Sequence, residues 1–504
     1  MGVDFSIFLE GLMTALEPIN LLWVAIGGLL GTVVGMLPGL GPATAVALLI
    51  PVTFGMEPTS ALVLMAAIYY GAMYGGSRSS ILLNTPGDGS AIAATFDGYP
   101  MSQKGQAGQA LAISAIASLI GGLVAMVGFI LLAKPLASFA LKFGPAEYFL
   151  LMVFTLSAIV ALSKGAMVKG FISMSIGLLV STMGIDLQTG VHRFTFDMPA
   201  LSEGVDFLIV IIGIYAVGEV LYNFITIDKP VNKNHKGMGK IWITREQWKR
   251  TKWPMIRNAP LGFIVGVLPG AGGAIASMLS YTTEKQLSKN PDEFGKGEIV
   301  GVAAPESSNN AAAVGSFIPM LTMGIPGSGT TAVILGAIIM LGLRPGPLLF
   351  ENNPEMVWTF VNSMFIGNIF LVILNILLVG LLVKILKTPP KVLYPIILVL
   401  AFIGTYTLSY NVIEFYILVI FGLLGLVMKL LKFPIAPLIL AAIVGSDMEQ
   451  NFRKSIVGND SVSSVLLSSP ITITLVILTI LSLLYPFFSS WLKNRKDQET
   501  NLHM

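Results

Sequence analysis

Apolar runs follow one another along almost the whole chain, separated by breaks too short to hold a soluble domain. They fall at 19–37, 59–75, 108–133, 146–163, 166–184 and 205–227, then at 256–281, 299–322, 330–343, 357–386, 392–409, 411–431, 434–446 and 470–491. A helix needs about 20 apolar residues to cross the hydrocarbon core of a bilayer, and several runs reach that length. Runs 330–343 and 434–446 are too short to cross alone and read as half-helices or hairpin arms. Only 11% of the 504 residues are charged and 54% are apolar, against roughly 25% charged in ordinary soluble proteins. So few charges could not cover a surface facing water, whereas a surface facing lipid needs none. The mean hydropathy of +0.81 agrees. The expected fold class is an all-α polytopic membrane protein of about 10–14 membrane segments, with broken helices and re-entrant hairpins.

What is missing narrows the chemistry. There is no cysteine, so disulfides, thiolate metal sites, iron–sulfur clusters and a cysteine nucleophile are excluded. The three histidines, His192, His235 and His503, lie outside the long apolar runs, which weakens zinc, haem and histidine-based catalysis. No G-x-x-x-x-G-K-[ST] is present, so ATP-driven pumping by this chain is unsupported. No G-x-S-x-G occurs either, nor the T-V-G-Y-G filter of potassium channels. No cofactor is expected and no enzymatic activity.

The polar stretch 228–258 carries Lys229, Lys233, Lys236, Lys240, Arg245, Lys249, Arg250, Lys252 and Arg257. By the positive-inside rule it is a cytoplasmic connecting loop, as is the tail 492–504 with Lys493, Arg495 and Lys496. The chain then divides into a first transmembrane repeat at 1–227 and a second at 259–491. Two motifs recur in order across the loop. Gly35-Met-Leu-Pro-Gly-Leu-Gly41 is matched 231 residues on by Gly266-Val-Leu-Pro-Gly-Ala-Gly272, and Thr85-Pro-Gly-Asp-Gly-Ser90 is matched 240 residues on by Ile325-Pro-Gly-Ser-Gly-Thr330. Recurrence in order at nearly one offset marks a duplication. Many secondary transporters are built from repeats, with sites near the midplane where Gly/Pro-interrupted segments meet. The repeats are expected to be inverted, which an acidic, outward N-terminus fits. An inward C-terminus then requires an extra or missing span in the second half.

The motifs suggest the chemistry. At Leu37-Pro-Gly-Leu-Gly-Pro42 and Leu268-Pro-Gly-Ala-Gly-Gly273 a proline without an N–H and adjacent glycines should break a helix. At membrane depth the freed backbone groups are tolerated only when buried in protein or lining a wet cavity. Carbonyls near Gly39, Gly41, Gly270 and Gly272 are candidate Na⁺ ligands, and a new helix N-terminus can hold a carboxylate. A tight loop at the membrane surface is the plainer reading of either turn alone. The second pair, Asn84-Thr-Pro-Gly-Asp-Gly-Ser90 and Gly324-Ile-Pro-Gly-Ser-Gly-Thr-Thr331, is flanked by Tyr74-Gly-Gly-Ser-Arg-Ser-Ser80 and Pro305-Glu-Ser-Ser-Asn-Asn310. Hydroxyls and amides there can bind a carboxylate without a buried charge of their own; close helix packing is the alternative. The candidate substrate contacts are Asn84, Thr85, Gly87, Ser90, Ser328, Thr330 and Thr331, together with Asn309, Asn310 and Arg78. Arg78 is expensive inside a membrane and needs a partner, either a substrate carboxylate or a protein one such as Asp88 or Glu306. Glu219 and Glu414 read as interior structural partners. Gly27, Gly31 and Gly35 share one helix face and read as a packing stripe, and Trp23 and Trp491 as interface anchors.

These motifs resemble the large membrane subunit of the tripartite tricarboxylate transporters, the TctA family. The resemblance runs through Gly31–Gly122 and resumes at Gly262–Gly367. It is densest at Gly35–Thr44, Tyr69–Ser77, Thr85–Gly89, Pro269–Gly273, Pro305–Ala312 and Gly324–Gly329. It implies a binding-protein-dependent secondary transporter of the bacterial inner membrane, taking up citrate or another small carboxylate. It implies two partners, a small four-span membrane subunit and a periplasmic substrate-binding protein, with no role for nucleic acid. It implies a coupling cation gradient, expected to be Na⁺ because embedded acids are few, with H⁺ as the alternative. An intramembrane hydrolase and a passive anion channel are the rival functional classes.

Overall fold

The computed structural model describes residues 5–37, 39–163, 167–186, 188–226, 238–378, 390–409, 411–457, 461–484 and 486. Lys229, Lys233, Lys236, His235, Trp491, Lys493, Arg495, Lys496 and His503 lie outside them. Among the described residues the architecture is helical, with one two-residue antiparallel ladder pairing Gly184 with Arg193 and Ile185 with His192. In chain order the helices are α1 (Phe5–Ala15), α2 (Pro18–Gly35), α3 (Pro42–Leu49), α4 (Pro58–Leu83), α5 (Ile92–Gln103), α6 (Ala107–Ala140), α7 (Pro145–Ala161) and α8 (Met167–Ser181). Then come α9 (Phe207–Ile211), which continues through a π-helical turn at Ile212–Val217 into α10 (Gly218–Thr226), α11 (Arg245–Val267), α12 (Gly272–Leu287), α13 (Val300–Met323), α14 (Gly329–Met340), α15 (Pro347–Asn352) and α16 (Pro354–Leu377). Helices at Pro390–Ser409, Ile413–Leu430, Ala436–Val457 and Pro470–Leu484 follow. Among the described residues five helices are long and apolar enough to cross a bilayer: Pro18–Gly35, Ala107–Ala140, Phe207–Thr226, Pro354–Leu377 and Ile413–Leu430. Large apolar side chains left exposed, such as Leu131, Ile420 and Ile403, are what a lipid-facing surface requires. The chain is an all-α, multi-pass membrane protein.

Two boundaries differ from the sequence reading. Helix α11 begins at Arg245, inside the stretch read as the connecting loop 228–258. Thr244 caps it, accepting from the Gln247 N–H at 3.2 Å while Gln247 Oε1 accepts from the Thr244 N–H at 2.8 Å. Such a reciprocal pair satisfies two N–H groups left free at a helix start, and Lys, Arg and Gln are good helix formers. The run 434–446 is the apolar front of a 22-residue helix, Ala436–Val457, whose polar end Asp447–Lys454 a hydropathy reading discards.

Helices pack into two compact units. One comprises residues 1–140 and 208–427 and holds all four Pro-Gly turns; the other comprises 141–207 and 428–504. In the first, α2 lies directly on α4 along its glycine stripe. A Cβ at Gly31 would stand 2.8 Å from Ile68 Cα, and one at Gly35 2.5 Å from Ala72 Cα. Helix α11 lies on α13 in the same way: a Cβ at Gly262 would meet Ser308 Cα at 2.7 Å, and one at Gly266 would meet Ala312 Cα at 2.6 Å. Backbones this close admit no side chain between them. In the second unit, Gly177 of α8 abuts the Leu438 carbonyl. The 184–193 hairpin is clasped to Ala436–Val457 by Arg193–Glu449 at 2.9 Å and Arg453–Asp186 at 2.9 Å. The Asp186 carboxyl is held down at about 2, first by the Gln188 N–H and then by Arg453.

Candidate functional site

Both Leu-Pro-Gly turns break their helices as the proline and glycines predict. Helix α2 stops at Gly35 and α3 starts at Pro42; α11 stops at Val267 and α12 starts at Gly272. The pivots are Gly39 at φ +83° and Gly270 at φ +81°, backbone angles that glycine adopts without strain. The second pair behaves alike. Helix α4 ends on Asn84 at φ +55°, and α13 ends on Gly324 at φ +72°; both are left-handed caps. Four residues further on, the chain turns into a new helical start. Asp88 stands before a 3₁₀ turn at Gly89–Ala91 that leads into α5, and Ser328 before α14. Each tip is buried by a glycine: a Cβ on Gly87 would lie 2.9 Å from Gly76 Cα, and one on Gly327 2.8 Å from Ser316 Cα.

The four turns converge. A Cβ on Gly41, before α3, would be 2.8 Å from Asp88 Cβ in the first tip, and one on Gly272, at the start of α12, 3.8 Å from Ser328 Cβ in the second. The first tip also reaches α12, with Gly89 against Ala274 at 3.4 Å and Gly273 against Ser90 Cβ at 3.1 Å. A Cβ on Gly329 would lie 2.9 Å from the Tyr215 hydroxyl, and the Tyr69 hydroxyl faces Ser316, Ser328 and Thr330. Tyr215 sits in the π-helical turn, whose carbonyl accepts from Thr44 of α3 at 3.3 Å. Such turns inside helices are often functional. The N-termini of α3, α12 and α14 thus approach one another, each carrying unpaired N–H groups and partial positive charge.

Side chains in this region divide into spent and unspent. Ser90 Oγ donates to the Asp88 carboxylate at 2.7 Å. Ser328 and Thr331 cap α14 reciprocally, at 3.2 and 2.8 Å. The Thr85 hydroxyl donates to the Leu83 carbonyl at 3.1 Å, and Asn84 points outward as an exposed cap. The Gly41 carbonyl accepts the first α3 bond from the Ala45 N–H at 3.0 Å. Glu219, expected to be an interior partner, is buried, and its Oε1 stands beside the Gly39 turn. Asn309 differs from all of these. It is wholly buried on α13, its Oδ1 abuts the position a Gly273 side chain would take, and neither amide atom has a protein partner. Such an amide is costly unless a ligand or water completes it. The neighbouring Asn310 donates to Ser118 at 2.7 Å and to the Glu306 carbonyl at 3.1 Å, leaving its Oδ1 unpartnered.

Arg78 corrects an expectation. It pairs with neither Asp88 nor Glu306; its guanidinium forks onto Asn375 of α16, bonding the side-chain oxygen and, at 2.7 Å, the backbone carbonyl. A separation of 297 residues hid that partner from a local reading. Tyr69 and Tyr215 were also missed; a tyrosine in an apolar run reads as core.

The profile of the Tripartite tricarboxylate transporter TctA family matches residues 21–440, a span that contains all four turns, Asn309 and Arg78. The chain belongs to that family. This TctA-family chain is also 43% identical, over 92% of both lengths, to an uncharacterized 52.8 kDa protein in the TAR-I ttuC′ 3′ region of Agrobacterium vitis. It is 42% identical over 237 residues to an uncharacterized protein in the TAR-II ttuC′ 3′ region of the same organism, covering 47% of the chain and 98% of that relative. No solved structure matches. Membership of a transporter family points away from an enzyme and toward a membrane component of a tricarboxylate transporter.

Proposed function

We propose that this TctA-family chain is the transmembrane carrier of a binding-protein-dependent secondary transporter, taking up small carboxylates with a cation gradient. One observation carries the reading: four Gly/Pro-interrupted turns, two from each half, bring three helix N-termini together, and one of them, that of α12, stands against the unpartnered Asn309 amide. That combination suits a carboxylate, which accepts hydrogen bonds and gains from the N-terminal partial charge. The paired contacts of α2 on α4 and of α11 on α13, recurring at the offsets of the sequence motifs, support two duplicated halves, which this reading takes to be inverted. On this reading the site lies where the halves meet and substrate passes by alternating access. The chain sits in the bacterial inner membrane with its basic 228–258 stretch in the cytoplasm, and works with a small four-span subunit and a periplasmic substrate-binding protein.

Uptake of radiolabelled citrate and succinate into proteoliposomes, with and without the two partner subunits and an imposed cation gradient, tests the reading. Gradient-driven accumulation that needs the binding protein is the expected result. Equilibration without accumulation would indicate a passive channel instead.

A further inference from the structure

Glu306 has no place in the site described so far. Its side chain is buried among α4, α6 and α13, with 1% of its surface exposed. Its recorded neighbours are hydroxyls. Ser77 Oγ stands 2.7 Å from Oε2 and Ser118 Oγ 3.3 Å from the same atom, with Ser114 also facing it. No cation pairs with it among the described residues. Arg78, one turn from Tyr74 on α4, is committed to Asn375. Arg257 of α11 is bonded to Glu284 of α12. Asp97 of α5 accepts from the Gly295, Gly297 and Glu298 N–H groups and from Tyr281 of α12. The ionisable groups recorded as facing Glu306 are Tyr74, whose hydroxyl has no partner, and Asp88 in the first tip. An ionised carboxylate here would be a buried charge without a counter-charge, which is strongly disfavoured.

The cage can serve either protonation state without moving a heavy atom. Ser77 Oγ lies within hydrogen-bond distance of two acceptors, Glu306 Oε2 at 2.7 Å and the Met73 carbonyl at 3.1 Å, but has one hydrogen. With Glu306 ionised, Ser77 donates to Oε2. With Glu306 protonated on Oε2, the acid donates to Ser77 Oγ and Ser77 turns its hydrogen to the Met73 carbonyl. Ser118 joins the cage to Asn310, whose neighbour Asn309 opens onto Gly273 and the first tip.

We propose that Glu306 is the proton-binding group that couples transport to a proton gradient, through Ser77, Ser118 and the Asn309–Asn310 pair. The proposal rests on the carboxylate-carrier reading. An anion at the Asn309 amide, one helical turn along α13 from Glu306, would oppose a second negative charge there, so substrate and proton favour each other's binding, reciprocally. The proton comes from water on the side of high proton concentration and forms the O–H bond at Oε2. It returns to water on the other side after the substrate leaves; no electrons move.

The test uses the assembled complex in proteoliposomes, with citrate as probe, at pH values where citrate is fully ionised. Wild type should accumulate citrate under an inward proton gradient without Na⁺, and its apparent Kd should weaken about tenfold per pH unit on the alkaline side, as one linked proton requires. Glu306→Gln should lose gradient-driven accumulation while keeping measurable citrate exchange that no longer responds to pH. Should that variant not fold, proton uptake by wild type decides: about one proton per chain should be taken up when citrate is added in weak buffer. Accumulation driven by Na⁺ alone, accumulation by Glu306→Gln equal to wild type, or citrate binding without proton uptake would overturn the proton role and leave the carrier standing. Failure of wild type to exchange citrate or succinate at all would overturn both.

Discussion

The approach of α2 to α4, and of α11 to α13, sets where the Leu-Pro-Gly turns sit, so a methyl group at either contact should be costly. In Gly35→Ala the new Cβ would stand 2.5 Å from Ala72 Cα, and in Gly266→Ala 2.6 Å from Ala312 Cα. Carbon atoms pack at about 3.5–4.0 Å, so each helix pair must part by about 1 Å. The struck atoms are backbone, which cannot swing aside, so the upper end of the overpacking range applies, about 3 kcal/mol. Alanine recovers about 1 kcal/mol over glycine inside a helix. The net loss is about 2 kcal/mol, and it should be similar at both positions. Gly367→Ala is the control: it too is inside a helix, but its nearest neighbour would be Val24 Cγ1 at 3.7 Å. That variant should be neutral or slightly stabilised. The assay is the surviving monodisperse fraction of purified protein against temperature in detergent. Gly35→Ala and Gly266→Ala melting together with Gly367→Ala would refute the close-packing argument, and with it the placement of both turns.

Asn309→Ala should reduce citrate uptake at least tenfold without lowering thermal stability, because replacing an unpaired buried amide by an apolar group is close to neutral; uptake kinetics and a melt on one preparation check both halves. Ser328→Ala removes the cap of α14 and should cost about 1 kcal/mol, read as a lower melting temperature. Asn375→Leu strips Arg78 of its bond to the side-chain oxygen and leaves only the backbone carbonyl; it should be the most damaging of the set, about 3 kcal/mol, seen as lost yield of folded protein. With its carboxyl held near 2, Asp186 contributes stability that is complete above the ordinary carboxylate range, about pH 4, and is lost as pH falls toward 2. Proteolysis of the 184–193 hairpin should therefore rise only in that acid window, and Asp186→Asn should expose the hairpin at neutral pH.

Periodicity and composition settle the fold class, because a bilayer leaves few ways to satisfy backbone polar groups. Breaks at Gly39 and Gly270 and the convergence of the Pro-Gly tips were also legible, since proline and glycine act locally and each motif came twice. The glycine stripe at Gly27, Gly31 and Gly35 was legible for the same reason. What escaped the sequence was set by partners far along the chain. Arg78 meets Asn375, and Glu306 meets Ser77 and Ser118 at separations near 200 residues. The start of α11 was hidden by its own charges: Arg245–Lys252 reads as a loop by hydropathy, though its capping pair at Thr244 and Gln247 stood in the sequence. Asn84 was chosen for its amide, yet the left-handed cap that amide residues tolerate uses it as backbone and leaves the side chain outward. Packing also groups the chain differently from the division at 228–258, since pieces of both halves form each compact unit.

The central claim is that a carboxylate sits among the converging turns. A structure of the assembled complex determined with citrate, at a resolution that shows the ligand, tests it most directly. Citrate density bounded by Ser90, Asn309, Ser328 and Thr330, with a carboxylate oxygen in reach of the Asn309 amide, is the predicted result. Ordered citrate elsewhere in the chain, with the Asn309 amide still without a ligand, would contradict it.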